Sequence, residues 1–419
     1  MGGPIYYEGM GVGVANFATV GKDGLFPDLF SALNWRSNIS HELLTTFTGS
    51  SLTGENLGLR VISANSGTPL SSYTGRRLVV QIGGSGPYMH AWINSGSQLT
   101  LRYPLQTAIT SLSIAVYIPV YVGIFLLPGT DIEYSGDVTI PGFTTLCAYP
   151  GTTRLINTGE SGNNSIVLAS DNEIRLYGIS ATQYTGVAST AQLIVVNTSP
   201  NYSEQCNVVI DNCDLNGPSF DTIYVGPGNF GGGLQISNCH ITGYYDTIRL
   251  YSGRLVRIYN NIIEPIGVNG AYQAEVAAVA IGGGVVSSYP DQEVIMANNR
   301  FHSYYDRLSG TYDSNPISAV EVRGLVNTGA KIVLSGNDIR ARCEYASSTS
   351  SVAAMIVTDS TDTNTPTLIA TNNNIDCSTA GTGTAYSFQS VNANYVIKHA
   401  GNNVMAGVLG SNTAALSTV

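Results

Sequence analysis

A right-handed parallel β-helix, preceded by a mixed, irregular N-terminal region, is the fold class this 419-residue sequence predicts. Three observations predict the solenoid: a local template that recurs between residues 160 and 405, a second short strand ahead of each copy, and an Asn or Cys held in one register of the template. An unequal period around a fixed local pattern is what stacked coils with variable loops produce.

The template is apolar-x-apolar-x-x-(Asn/Cys)-x-apolar. It reads Val208-Ile210-Cys213-Leu215, Leu234-Ile236-Cys239-Ile241, Val256-Ile258-Asn261-Ile263, Val294-Met296-Asn299-Phe301, Ile332-Leu334-Asn337-Ile339 and Leu368-Ala370-Asn373-Ile375. A degenerate copy stands at Ile174-Leu176-Ile179, and another ends the series near Asn403-Met405. The preceding strands, such as Ile194-Val196, Ile223-Val225, Ile248-Leu250, Val320-Val322 and Met355-Val357, alternate with period two and break at Gly, Ser or Thr. Several short strands per turn, none long enough for a helix, predict β-helix coils, and crossover chirality predicts the right hand. Rungs about 4.8 Å apart let Asn261, Asn299, Asn337 and Asn373 form a ladder, with Cys213 and Cys239 as small buried substitutes. An unpaired buried amide would cost about 1–3 kcal/mol.

Composition narrows function. Charged residues make up 11% of the chain, against about 25% in ordinary domains. Disorder does not explain this, because 43% of residues are hydrophobic. The net charge of −10 argues against a nucleic-acid partner. It is unevenly spread: residues 1–105 carry +1 and the remainder −11. The opening residues lack a basic n-region and an apolar h-region, so no secretory signal is read there. The six cysteines have no CxxC or His-paired spacing, which predicts free thiols and no metal. No cofactor motif stands out: Gly11-x-Gly13 has no preceding strand, and Gly21-Lys22-Asp23 lacks the rest of a phosphate loop. The uncharged stretch 103–129 is interrupted by Pro119 and Gly123, which predicts a buried cap plus a strand rather than a membrane span.

With Ile124-Phe125-Leu126-Leu127-Pro128-Gly129 followed by Val138-Thr139-Ile140-Pro141-Gly142, the repeat resembles the pectate-lyase-like β-helix superfamily, which includes polysaccharide lyases, polygalacturonases and bacteriophage tailspikes. The resemblance implies a helical cap ahead of the first coil, placed here at 104–115. It also implies a division into an N-terminal docking region (1–103), a β-helix (104–408) and a C-terminal tail (409–419). Residues 1–100 do not share the template; 28–38 is read as a short helix, and the Gly-rich start is expected to be held by a partner or a symmetry mate.

Candidate chemistry sits on outward columns. Asp221 and Asp246 share a register in Asp-Thr-Ile triplets, and Tyr224, Arg249, Ala280 and Glu321 share the alternate one. Acid pairs beside Arg carry out hydrolysis or elimination in β-helix enzymes, so Asp246, Arg249 and Glu321, with Asp221 assisting, are the catalytic candidates. Polygalacturonase-type signatures are absent, and Asp before Thr-Ile is a common turn residue, so turn capping is the expected role of both aspartates. Tyr224, Tyr244, Tyr245, Tyr304 and Tyr305 are candidate glycan-stacking residues, with loop packing as the alternative. On the second strand the outward column reads Val209, Gln235, Arg257, Ile295, Val333 and Ile369. Its last three members form an apolar stripe, covered either by loops or by trimer packing, of which trimer packing is favoured. Together these readings and the resemblance lead to a homotrimeric virion surface protein of tailspike, fibre or capsid-decoration type. It would meet other virion proteins through its N-terminal region and host surface polysaccharide through the solenoid, with no membrane insertion. The alternative is a polysaccharide lyase or glycoside hydrolase.

Overall fold

The computed structural model describes residues 16–418 apart from 53–57, 66–69, 77, 85–87, 103–104, 106–107, 130, 159–165, 169–172, 184–191, 197–206, 218–220, 227–232, 244–245, 268–275, 283–291, 306–316, 324–328, 345–350, 359–365, 391–396 and 407–415. Among the described residues, three parallel sheets of twelve, nine and ten strands run the length of a β-helix. Each full coil contributes one strand to each sheet, as in Ile223–Val225 (nine-stranded), Gly233–Ser237 (twelve-stranded) and His240–Gly243 (ten-stranded).

The template explains this path. Its first two apolar positions lie on the twelve-stranded sheet, where Val208, Leu234 and Val256 stand side by side. Its last apolar position lies on the ten-stranded sheet, where Leu215, Ile241 and Ile263 do the same. Between them the chain bends at a left-handed residue: Gly178, Asn212, Asn238, Asn260, Asn298, Gly336, Asn372 and Gly401 have φ between 54° and 68°. Asn and Gly tolerate that conformation where other residues are strained. The apolar positions point into one continuous core. Burial of each such Leu, Ile or Val side chain contributes roughly 1.5–3 kcal/mol.

The N-terminal part departs from expectation in three ways. First, the cap is the helix Leu29–Ser37, not 104–115. Asp28 caps it by accepting from the Ser31 N–H at 2.8 Å, and Leu29, Ala32 and Leu33 join the solenoid core, the helix packing against the strands Asn16–Val20 and Val138–Ile140. Buried Arg36 pins the helix through Gly142 O (2.7 Å), Thr144 Oγ1 (3.2 Å) and Ile39 O (3.1 Å). Second, Asn16–Val20 belongs to the solenoid, pairing in parallel with Val122–Leu126 as the end strand of the twelve-stranded sheet. Third, the intervening chain is not irregular. Strands Glu42–Ser51, Val61–Ala64, Gln98–Leu101, Met89–Ser95, Leu78–Ile82 and Leu112–Ile118 close, in that order, into an antiparallel barrel. Its core, built on residues such as Ile62, Val80, Leu99 and Val116, is separate from that of the solenoid.

The expected division at 103/104 therefore runs through the barrel, because Leu112–Ile118 is the strand that closes it. The expected tail also contributes structure: Leu416–Thr418 pairs with Ile397–His399. The stretch 103–129 holds a barrel strand and the solenoid strand Val122–Leu126, and no helix among the described residues is long and apolar enough to cross a membrane. The Gly-rich start lies outside the described residues. Barrel and solenoid meet at His41, whose Nδ1 accepts from the Val120 N–H at 2.9 Å and whose ring stands 4.5 Å from that of Phe143. Burial, helped by the Arg36 charge, lowers the His41 pKa to about 4.

Candidate functional site

One polar line runs inside the solenoid. The Nδ2 of Asn261, Asn299 and Asn337 each donates to the Oδ1 of the Asn one rung on, at 2.9–3.1 Å, and Asn373 donates to Asn402 at 2.9 Å. Each Oδ1 also accepts the backbone N–H of the preceding rung, and each Nδ2 reaches a carbonyl of the twelve-stranded sheet. Every amide group is thus satisfied, which a buried amide requires. Cys213 and Cys239 extend the line: the Cys213 N–H meets Cys239 Sγ at 3.4 Å, and the Cys239 N–H donates to Asn261 Oδ1 at 2.9 Å. The described cysteines are free and buried, and burial pushes the thiols of Cys147 and Cys377 up to about 12. Cys206 lies outside the described residues.

The outer face of the nine-stranded sheet gathers the acid and arginine candidates. Tyr224, Arg249, Ala280 and Glu321 are register neighbours across four consecutive strands. Asp246 heads a second outward row with Ala277 and Ser318. Both rows exist because the strands do not simply alternate: Ala278 and Val279, and likewise Ala319 and Val320, turn inward as pairs. Ala277 and Ala280 keep the gap between the charged residues low. Across that gap reaches Arg323, a residue sequence reasoning missed. Its Nη1 and Nη2 donate to the two Asp246 oxygens at 2.7 and 2.9 Å, and Nη2 also donates to Glu321 Oε2 at 2.8 Å. Arg249 Nη1 donates to Asp246 Oδ2 at 2.8 Å, and Thr358 Oγ1 to Glu321 Oε1 at 3.1 Å.

The carboxylates lie beneath: Asp246 and Glu321 have no exposed surface, whereas the Arg249 and Arg323 side chains keep about a tenth of theirs. Burial raises the Asp246 carboxyl to about 6 in spite of both guanidiniums. Asp221 is also buried, and neither of its oxygens meets a hydrogen-bond partner. Burial and the neighbouring Asp246 push its carboxyl well above the ordinary range, against the opposing pull of Arg249 and Arg323. Turn capping is therefore not the role of either aspartate. One is held by arginines, and the other accepts nothing.

Tyr224 and Tyr251, both partly exposed, border this cluster. Their rings are 5.6 Å apart, and the Arg249 guanidinium lies 4.6 Å over Tyr251. Tyr304 is on a different face, the ten-stranded sheet, with its hydroxyl on Glu344 at 2.8 Å. Tyr244, Tyr245 and the side chain of Tyr305 lie outside the described residues. Near Tyr304, two histidines meet acids: His240 stands 3.2 Å from both Asp214 and Glu264, and His302 stands 3.2 Å from Glu264. Among the described residues, no group of three or more His, Cys, Asp and Glu is arranged to hold a metal.

On the twelve-stranded sheet, Ile295, Val333 and Ile369 are register neighbours and half-buried. Their column continues into Arg257 on one side and Lys398 on the other. The row beside it is small: Ala297, Ser335 and Thr371.

The assembled features define a parallel β-helix protein with an acid–arginine cluster on its second sheet. No family model and no curated protein matches the sequence. Among solved structures, the chain is similar to the surface protein and adhesin PfbA of Streptococcus pneumoniae, with TM-score 0.35 and 11% identity over 71% of this chain and 90% of that one. It is also similar to the tailspike protein gp49 of Pseudomonas phage LKA1, with TM-score 0.33 and 13% identity over 90% and 66%. A third is the gp54 tailspike of Acinetobacter baumannii bacteriophage AP22, solved with a capsular saccharide, with TM-score 0.34 and 9% identity over 84% and 64%.

Proposed function

We propose that this chain is a surface-displayed β-helix protein of tailspike, fibre or capsid-decoration type that engages host surface polysaccharide. In this reading it assembles as a homotrimer through Ile295, Val333 and Ile369, and the N-terminal barrel region meets other virion proteins. The observation that carries the reading is the border of the nine-stranded face. There, partly exposed Tyr224 and Tyr251 flank Arg249 above hydrogen-bonded carboxylates. Aromatic faces beside fixed polar groups suit pyranose rings and their hydroxyls.

The test is a glycan array followed by titration calorimetry on the best binder. Tyr224→Ala and Tyr251→Ala are each expected to weaken binding about tenfold, close to 1.4 kcal/mol, with unchanged thermal unfolding. Undiminished binding in both variants overturns the placement of the site. A second reading, polysaccharide hydrolysis or elimination, draws on the Asp221 carboxyl beside Asp246. Reducing ends released from the bound glycan, and lost in Asp246→Asn, would favour it.

A further inference from the structure

The joint between barrel and solenoid turns on a titratable side chain. Glu42 and Ile118, where the barrel begins and ends, are register neighbours, so the connections 38–41 and 119–121 run side by side. His41 Nδ1 ties them by accepting the Val120 N–H at 2.9 Å. Around that bond the seam is aromatic. The His41 ring lies 4.5 Å from that of Tyr88, at the barrel, and 4.5 Å from that of Phe143, at the solenoid. Buried Phe143 stands in turn 5.4 Å from Tyr121 and 5.8 Å from His90, on the barrel strand Met89–Ser95. Its backbone holds a left-handed φ of 58°, a strained conformation for an aromatic residue. Two modules with separate cores thus meet where a hydrogen bond has an acceptor that can be protonated.

That bond exists only while Nδ1 carries no proton, because both nitrogens of an imidazolium are donors. Among the described residues, the charged groups about the seam oppose a proton there. From the cap helix comes Arg36, a second positive charge, whose hydrogen bonds go to Gly142 O, Ile39 O and Thr144 Oγ1. Across Phe143, the Glu173 carboxylate is engaged by His90 at 3.8 Å, Arg102 at 3.6 Å and Arg175 at 3.9 Å. Glu42, next to His41 in sequence, is exposed. Tyr88, Tyr117 and Tyr121 complete the seam.

We propose that this joint is an acid-operated hinge: protonation of His41 breaks the Val120 bond and releases the barrel from Phe143, while barrel and solenoid each keep their fold. Docked, His41 takes up a proton near pH 4, because burial and the Arg36 charge disfavour it; released, it does so at the ordinary 6.5. Docking is therefore at full strength above about pH 7 and weakens as pH falls. The docking constant drops about twentyfold between pH 7 and 5, and about three hundredfold once pH is well below 4.

The test is hydrogen exchange on the full-length chain between pH 7 and 4, corrected for intrinsic exchange chemistry, with hydroxyl-radical labelling of Phe143 alongside. Protection of the Val120 amide is expected to fall about twentyfold from pH 7 to 5. Phe143 is expected to label more heavily at pH 4 than at pH 7, while Val80 in the barrel and Ile210 in the solenoid stay protected. His41→Asn, whose Oδ1 takes the place of Nδ1 and binds no proton, is expected to hold Val120 protection constant within about twofold. An equal acid response in His41→Asn overturns the hinge. So does loss of protection throughout either module, or opening at Val120 with Phe143 still unlabelled. Should His41→Asn fail to fold, as circular dichroism melts would show, Glu173→Gln decides. An unchanged acid response there keeps the switch at His41; its disappearance moves the switch to the His90–Glu173 pair and overturns the proposal.

Discussion

Asn337 illustrates how much of this fold hangs on single polar side chains. Its Oδ1 accepts the Asn299 N–H at 2.8 Å, and its Nδ2 donates to Met296 O at 3.1 Å and to Asn373 Oδ1 at 2.9 Å. Asn337→Ala strands a buried backbone donor and a carbonyl, so urea melts are expected to report a loss of about 2–4 kcal/mol. A second residue-scale expectation concerns pH. The Asp246 carboxyl, raised from 3.8 to about 6 in the folded chain, binds its proton more tightly folded than unfolded. Its contribution to stability is therefore full below about pH 4 and is lost as pH rises through about 6. Denaturant melts across that window are expected to fall less steeply for Asp246→Asn than for the parent chain; parallel curves would remove the assignment. The Asn register was legible because one residue type recurs at one template position. The left-handed residue just before it was equally visible as Asn or Gly, yet it signals backbone geometry rather than chemistry. Asn402 escaped notice because His399 replaces the second apolar residue of its copy. Arg323 stands two residues beyond Glu321, a spacing that puts both on one face of a strand, but it was not read as part of the cluster. Nothing in sequence said that a guanidinium 77 residues away would reach over two alanines to Asp246.

At the scale of elements, the helix Leu29–Ser37 decides whether the first coil is sealed. Arg36→Ala removes the bonds to Gly142, Thr144 and Ile39 and leaves buried carbonyls without their donor. Hydrogen exchange is expected to quicken first in Asn16–Val20 and Val122–Leu126, with the rungs beyond Val208 unchanged. Uniform loosening along the chain would argue against an independent capping role. The strands of the solenoid were legible because they repeat. The barrel was not, since its six strands differ in length and half of its pairings, among them the one that closes it between Glu42–Ser51 and Leu112–Ile118, join strands that are not consecutive in sequence. The stretch 104–115 therefore read as a cap, when its end belongs to the strand Leu112–Ile118, whose fully buried members are Ile114 and Val116 and which faces inward at alternate positions.

For the molecule as a whole, assembly is the open contact to account for. Ile295, Val333 and Ile369 form a half-buried stripe beside Ala297, Ser335 and Thr371, on a face where Glu293 pairs with Lys331 at 3.3 Å and with Arg257 at 3.0 Å. A stable species of three times the 44.1 kDa chain mass is expected in light scattering at several concentrations, and Val333→Glu is expected to yield single chains by placing an unpaired charge at the contact. A parent protein that is monomeric throughout would return the stripe to intramolecular cover. The overall architecture was legible at this scale because a repeat multiplies a weak local signal over many copies, whereas the barrel offers each of its signals once.

The direction of the Asn line bears on how the chain is made. The Asn261 N–H waits for Asn299, the Asn299 N–H for Asn337, the Asn337 N–H for Asn373 and the Asn373 N–H for Asn402. Each coil is completed by a residue synthesised later. On the ribosome, the newest coil is always the unfinished one, and the debt passes forward until the final amide, that of Asn402, emerges.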